Sequence, residues 1–425
     1  MRDIPVLEVD DEVSTALNTL AESNSDNMNL LRVKPPEQSD GMDIAGELLE
    51  SVHFLEMGSN LLFFEKNESP TCGMEMWYDD NVVKFVFYTP SNTLEQEYRQ
   101  QISGYYDGCE IAKQTPNEGM FIPSHEGKNE GIAVTDINIA KHHFNPIASP
   151  ESEENELDSD PFQRIINEVD TKDDTRVMLQ FLYKPAPYDW TEQQSETLET
   201  YAKRVQNKGG FKTKWFGLKV EDVDDPGIYE GAASEMRSRI NKPAYYVNVR
   251  LAVICTGQSQ EQANQRAQAR ANAITNTLER LYETRVEQRL APRKYSVNSQ
   301  RNAKETLLNM IKRKPVNMEE SGRFHKYVLD KLTPTHDKII LTAGELAGFV
   351  HLPSEDELTT GAVEWTSEMV EGTVPPDVDD FETVPEEQQE GVEEVELLDE
   401  EEDDDEQDDE SKSDADSSSV LFDEG

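Results

Sequence analysis

The chain reads as an α+β protein: two small antiparallel-sheet and helix sandwiches of ferredoxin-like character, followed by a disordered acidic tail. Three observations carry that expectation. Strand-like alternation and helix-like spacing recur in both halves of the stretch that can fold. A proline-interrupted acidic run at residues 149–160 separates the halves. From residue 361 onward the sequence is low-complexity acid with too little apolar surface to bury.

Taken in order, residues 1–40 are polar and read as a flexible arm, with one short helix at 12–21. The first unit, 41–148, opens on a helix at 46–54 with apolar residues at helical spacing. Strand-like runs follow at 60–64, 74–78 and 82–88, and Asp79-Asp80-Asn81 makes a tight turn between the last two. Ser91 caps a helix at 93–103, a strand lies near 109–112, and 119–145 reads as irregular. Residues 149–160 form an acidic linker.

The second unit, 161–360, begins with a short helix at 161–168. A strong strand at 176–183 is closed by Lys184-Pro185-Ala186-Pro187. Thr191 caps a helix to residue 208, which stops at Gly209-Gly210. Residues 229–240 are helical. The clearest strand is 245–255, with Tyr245, Val247, Val249, Leu251, Val253 and Cys255 on one face and Asn248 and Arg250 on the other. Ser259 then opens a long helix to about residue 290, with Ala267, Ala271, Ile274, Leu278 and Leu281 in one apolar stripe.

Charge narrows the setting. The 425 residues carry a net charge of −47, and residues 371–425 hold 26 acidic residues and one lysine. That tail accounts for about half of the excess, so the folded surface is acidic too. An acidic surface with only 22 lysines is what a salt-filled cytoplasm favours, because salt screens its self-repulsion. The expectation is a halophile. Cys72, Cys109 and Cys255 are isolated and odd in number, which argues against a disulfide framework and a zinc site. No apolar run approaches the roughly 18 residues of a membrane span, and the N-terminus lacks an export signal. A cytoplasmic protein is expected, with peripheral membrane association left open.

Residues 338–353, Lys-Ile-Ile-Leu-Thr-Ala-Gly-Glu-Leu-Ala-Gly-Phe-Val-His-Leu-Pro, are the most informative stretch. They read as a short strand, a Thr342 cap with Glu345 three residues on, and one helical turn ending at a proline. This stretch resembles the joint that precedes the motor domain in the conjugation-type ATPases of type IV secretion, the TraG, TraC and VirB-like group. The similarity extends over about 300 residues. It rests on the order of Leu179–Tyr183 with Lys184-Pro185, the helix at 195–208, the Lys242–Arg250 strand, the Ala- and Arg-rich helix and the joint. Trp77–Tyr88 and Tyr98–Tyr106 look like the leading sandwich of archaeal members.

No Gly-x-x-x-x-Gly-Lys-Ser/Thr occurs in the chain, so the phosphate cradle of a P-loop is missing. The resemblance therefore implies a non-enzymatic accessory protein without catalytic residues or cofactors, one that docks a separately encoded ATPase or a membrane complex. A haloarchaeal virus or plasmid is the implied context. Leu346, Phe349, His351, Leu352 and Pro353 are the candidate docking joint.

A second candidate is basic. Residues 266–314 hold Arg266, Arg270, Arg280, Arg285, Arg289, Arg293, Lys294, Arg301, Lys304, Lys312, Arg313 and Lys314 against four acidic residues. Nucleic acid or an acidic partner could be met there, or the charges could pair with the acidic remainder of the chain. Masking by the acidic tail is a third reading. Other clusters favour plainer roles. His142-His143 does not make an easy chelate in a strand or a helix. Asp222, Asp224 and Asp225 sit in a solvated loop that lacks EF-hand spacing. His351 reads as a packed, hydrogen-bonded residue. No small-molecule substrate is indicated, and a virion-associated structural protein is the remaining reading.

Overall fold

The computed structural model describes residues 4–7, 29–59, 65–114, 129–152, 155–157, 159–169, 175–193, 196–208, 214–215, 218–219, 226–293, 299–316, 318, 338–355 and 361–366. The acidic tail, Lys294, the strand expected at 60–64 and the carboxylate loop at 222–225 lie outside these residues.

In chain order the elements are β1 (Val6–Leu7), β2 (Asn29–Lys34), α1 (Met42–Ser51), β3 (Met57–Ser59), β4 (Glu65–Asn67), β5 (Cys72–Asp79), β6 (Val82–Thr89), α2 (Asn92–Tyr105), β7 (Glu110–Gln114), β8 (Asn129–Ile139), α3 (Pro161–Glu168) and β9 (Thr175–Pro185). A 3-10 turn at Tyr188–Thr191 leads to β10 (Glu192–Gln193), β11 (Glu196–Thr197), α4 (Leu198–Lys208), β12 (Lys214–Trp215), β13 (Leu218–Lys219) and α5 (Pro226–Ser238). The last elements are β14 (Ala244–Gly257), α6 (Gln260–Leu281), β15 (Leu290–Pro292), α7 (Ser299–Ile311), β16 (Ile339–Thr342) and α8 (Ala343–Ala347).

The class is α+β as expected, but the strands do not divide between two sandwiches. Ten of them form one antiparallel sheet in the order β1-β8-β14-β9-β5-β6-β2-β7, with β15 added to β8 and β16 to β14. The seam between the expected halves is the β5–β9 pair, which runs in register from Cys72↔Tyr183 to Tyr78↔Val177. Residues 1–368 form one compact unit. The reason lies in burial. β5 and β9 are buried on both faces, so their backbone groups need a hydrogen-bonded neighbour on both edges and their faces need cover on both sides.

Other expectations are corrected for similar reasons. The supposed arm contributes β2, an inner strand between β6 and β7. The supposed irregular stretch contributes β8, which pairs with β14 from Ile137↔Val249 to Asn129↔Gly257. In the supposed linker, Ser149, Ser152, Leu157 and Asp160 are buried. The long helix ends at Leu281 with Tyr282 as its cap. Beyond it a turn is closed by Thr284 N donating to Gln288 O at 2.8 Å, with Glu287 at φ 60°. Helix α4 starts at Leu198, where the Thr197 hydroxyl accepts from Thr200 N at 3.2 Å, rather than at Thr191.

Helices cover both faces of the sheet. On one face, Leu31, Met74, Met76, Phe85, Phe87, Leu179, Phe181, Val247, Val249, Leu251 and Val253 meet the apolar sides of α1, α2, α3, α6 and α8. On the other, α7 covers Leu30, Trp77, Val86, Ile132, Val134, Met178, Ala252 and Ile254, while α4 and α5 cover Leu182, Ala244, Tyr246 and Ile340. Two glycines on neighbouring strands set the closeness of α6: a Cβ at Gly131 or Gly257 would run into the backbone at Ala263.

Candidate functional site

The 338–353 segment closes the main core. β16 pairs with the start of β14, from Ala244↔Thr342 to Val247↔Ile339. At its end Thr342 Oγ1 accepts from Glu345 N at 3.3 Å, and Glu345 Oε2 accepts from Thr342 N at 2.8 Å. This reciprocal cap satisfies two donors that the start of α8 would otherwise leave unpaired. Glu345 is also ion-paired at 2.9 Å with Arg239, and both are buried. Arg239 donates to the carbonyls of His143, Phe144 and Ile340 and lies over the Trp190 ring at 5.0 Å. One guanidinium thus ties the end of α5, the 143–144 turn and β16 together.

Past α8, Phe349 stacks on Tyr282 at 4.1 Å, and Tyr282 Oη donates to Gly348 O at 2.6 Å. Tyr106 Oη donates to Gly41 O and accepts from Leu352 N. His351 Nδ1 lies 3.0 Å from Ala347 O, its Nε2 lies 3.2 Å from Asp160 Oδ2, and its ring stacks on Phe162. Leu346, Phe349, His351 and Leu352 are at most 1 % exposed, and Pro353 is buried. The five candidate docking residues are therefore core residues, and their side chains present no surface to a partner. What leads outward is the chain beyond them. Glu355 N donates to Glu37 O, Val83 N donates to Ala362 O, Arg32 pairs with Glu364, and Thr366 N donates to Pro35 O. The segment thereby crosses to the β6 and β2 side of the sheet.

The basic region does not gather into one patch. Arg266, Arg270 and Arg280 are on α6 and Arg301 is on α7, and these helices pack on opposite faces of the sheet. Arg266 donates to Thr256 O, and Arg270 donates to Glu168 O. Arg289 pairs with Glu279 at 2.7 Å and with Glu283 at 3.5 Å. Arg285 and Arg293 are exposed on the connection between the helices, and Lys312 and Lys314 are exposed beyond α7. Arg313, at φ 48°, is buried and pairs with Glu75 at 2.8 Å.

That last pair belongs to a constellation outside the sequence expectations. Asp136, Arg250, Gln180 and Glu75 are direct cross-strand partners on β8, β14, β9 and β5. Arg250 Nη1 donates to Gln180 Oε1 at 3.1 Å, and Gln180 Nε2 donates to Glu75 Oε1 at 2.7 Å. Glu75 Oε2 accepts from Trp77 and Arg313, and Asp136 Oδ2 accepts from Thr306 at 2.8 Å. The row also receives the end of α7. Asn309 O and Lys314 O accept from Arg250, and Met310 O accepts from Gln180. Arg250 thus caps a helix terminus from the sheet, where its charge opposes the negative end of the helix dipole. A signal was present in the sequence: Glu75 in β5, Gln180 in β9, and Asn248 with Arg250 in β14 interrupt otherwise apolar runs.

His142 and His143 are stacked on each other at 4.2 Å, with Tyr201 on the far side of His142. A strand or a helix would point the two rings apart; they occupy a turn closed by Asn145 N donating to His142 O. Burial pushes the Cys72 thiol up to about 12, which makes it a core residue rather than a nucleophile. Burial also raises the phenols of Tyr98, Tyr106, Tyr183, Tyr245 and Tyr282. No helix among the described residues is long and apolar enough to cross a membrane.

Together these features define an α+β module built on one sheet with a buried terminal joint and polar groups engaged in structural contacts. The chain belongs to the family described as a domain of unknown function, DUF8128, which it matches over residues 6–366. That match spans both expected halves and ends where the described chain reaches Thr366. No curated protein matches the chain.

Proposed function

We propose that this protein is a non-enzymatic assembly module of a haloarchaeal virus or mobile element, acting in the cytoplasm with a separately encoded conjugation- or packaging-type ATPase. The observation that carries the reading is the 338–366 segment. It resembles a pre-motor joint, it is capped and packed through Pro353, and it leads the chain out past β2 toward a sequence without a phosphate-binding loop. A joint that is core on its inner side positions whatever follows or docks beside it, as a rigid element does for a functional site.

The second reading, direct DNA binding through residues 266–314, gains less support. Its charges divide between two faces of the sheet, and several are engaged within the chain. The third reading, a structural component of a virion, rests on the mobile-element setting alone.

These readings separate experimentally. The purified chain in molar salt should turn over no ATP and should not be retained on DNA. ATP turnover abolished by no contaminant control would end the first reading. Salt-sensitive DNA retention lost on charge reversal of Arg280, Arg285 and Arg293 would establish the second. Stoichiometric recovery in purified particles would establish the third.

A further inference from the structure

The outer side of helix α6 lacks the acid that marks the rest of the chain. Of 425 residues 87 are acidic, yet no Asp or Glu occurs between Glu261 and Glu279. That interval is not hidden. Gln262, Gln265, Ala269 and Asn276 are exposed, and Asn272 and Ala273 are half-buried. At about 100° per residue these six fall on one ridge, opposite the buried stripe that contains Ala267, Ala271 and Ile274. Helix α1 supplies the contrast: its exposed positions are Asp43, Glu47 and Glu50.

The ridge is firmly mounted. On one flank Gln268 donates to Ile4 O; on the other Arg270 donates to Glu168 O and Thr277 donates to Glu168 Oε1. Arg266 donates to Thr256 O. The two central cations of the helix are thus engaged within the molecule, and amides and methyl groups face solvent. Helix α3, which packs beside α6, adds Arg164 and Asn167 to the exposed surface and no exposed acid.

Charge decides what fits there. Nucleic acid needs a row of exposed cations, and the ridge ends with one, Arg280. A basic protein would be drawn to acidic faces such as that of α1. Two copies of this chain meet the opposite difficulty. Each carries −47, so they repel wherever acid meets acid, and an acid-free face is where they approach at least cost. Molar salt screens the remainder, since the Debye length is about 3 Å at 1 M. The ridge also matches itself. An antiparallel pairing with its two-fold axis between Arg270 and Ala271 sets Gln265 of each copy opposite Asn276 of the other, and Ala269 opposite Asn272. Each of these amides has both donors and an acceptor, so identical surfaces can bond reciprocally.

We propose that the α6 ridge is the contact between two copies of this chain, packed antiparallel about the 270–271 step. The 22-residue helix is about 33 Å long, which gives a small interface and a concentration-dependent dimer rather than an obligate one. Such a dimer stands or falls separately from the ATPase reading.

The test is sedimentation equilibrium of the full chain at constant molar salt. Wild type should pass from monomer to dimer as concentration rises. Ala269→Glu brings a carboxylate from each copy to the axis, where it loses water, and should weaken dimerisation at least about tenfold. Glutamate is a good helix former at an exposed position, so the fold is kept; Asn276→Glu is the second variant on the same ridge. Gln100→Glu, at an exposed amide on α2, should leave the dimer unchanged. A wild type that stays monomeric at every concentration would overturn the inference. So would a dimer that withstands both α6 variants, or one that Gln100→Glu weakens equally. Loss of a different co-purifying protein from a monomeric chain on Ala269→Glu would assign the face to that protein and refute self-association.

Discussion

Helices α6 and α7 pack against the same two strands, β8 and β14, on opposite faces of the sheet, and they are held by different means. α6 buries Ala263, Ala267, Ala271, Ile274, Thr275 and Leu278 along one stripe, and its small residues let it lie close over Gly131 and Gly257. α7 buries Ala303, Leu307, Met310 and Ile311, and its C-terminal end is held by Arg250, Gln180 and the Glu75–Arg313 pair. Burial of apolar area has no preferred direction, and α6 is positioned by its own side-chain donors, Arg266 to Thr256 O, Gln268 to Ile4 O and Arg270 to Glu168 O. Hydrogen bonds to particular carbonyls fix where α7 ends. In α7 the buried charges therefore specify position more than they add stability.

The largest test of this contrast is a double-mutant cycle at Glu75 and Arg313. Glu75→Ala alone leaves Arg313 buried without its carboxylate and should destabilise the fold by about 3–5 kcal/mol. The paired replacement Glu75→Leu with Arg313→Met should cost far less than the sum of the single changes, as read by denaturant unfolding in molar salt. Additive losses would mean that the two charges are not coupled. Next in size, Leu278→Ala on α6 and Leu307→Ala on α7 should each cost about 2–5 kcal/mol. In Leu307→Ala the amide hydrogens near 309–314 should remain protected if the polar row is what fixes that end.

A smaller effect is expected at the joint. Thr342→Ala removes one side of the reciprocal cap and should cost about 1 kcal/mol. A third of that, or less, would mean that Glu345 is held by Arg239 alone. Smaller still at neutral pH, but steep in alkali, is the contribution of the five buried phenols. Their neutral forms are favoured by burial, so the stability they confer is complete below the ordinary tyrosine value of about 10 and is lost as pH rises beyond it. Absorbance at 295 nm should show them ionising together with unfolding; independent ionisation in a folded chain would contradict their burial.

The same contrast explains what was legible in the sequence. Strand β14 and the α6 stripe could be read because one residue type repeats at one period: Tyr245, Val247, Val249, Leu251 and Val253 at two, Ala267, Ala271, Ile274 and Leu278 at helical steps. The Thr342–Glu345 cap was legible because its chemistry is local. Strand β8 was not, because Glu130, Asp136 and Asn138 interrupt its apolar run; Glu130 is paired with Arg176 and Asp136 faces Arg250, and neither partner is near in sequence. Strand β2 looked like an arm because Asn29, Arg32 and Lys34 outweigh its short apolar core. The acidic run 149–160 looked like a linker because composition does not reveal that Asp160 caps α3 and meets His351, 191 residues along the chain. The division into two sandwiches failed at β5 and β9: pattern gives the faces of a strand but not its neighbour, and here the neighbour lies in the other half.

The resemblance to a pre-motor region and the packed 338–366 segment support one proposal, that this module works beside a separately encoded motor. The most direct test is affinity purification of the full chain from its native cells in molar salt, followed by identification of what stays bound. The account predicts a P-loop ATPase at near-equal stoichiometry, retained in high salt and lost when residues 354–425 are removed. Recovery of the chain with nucleic acid and no ATPase, or free of any partner under those conditions, would contradict it.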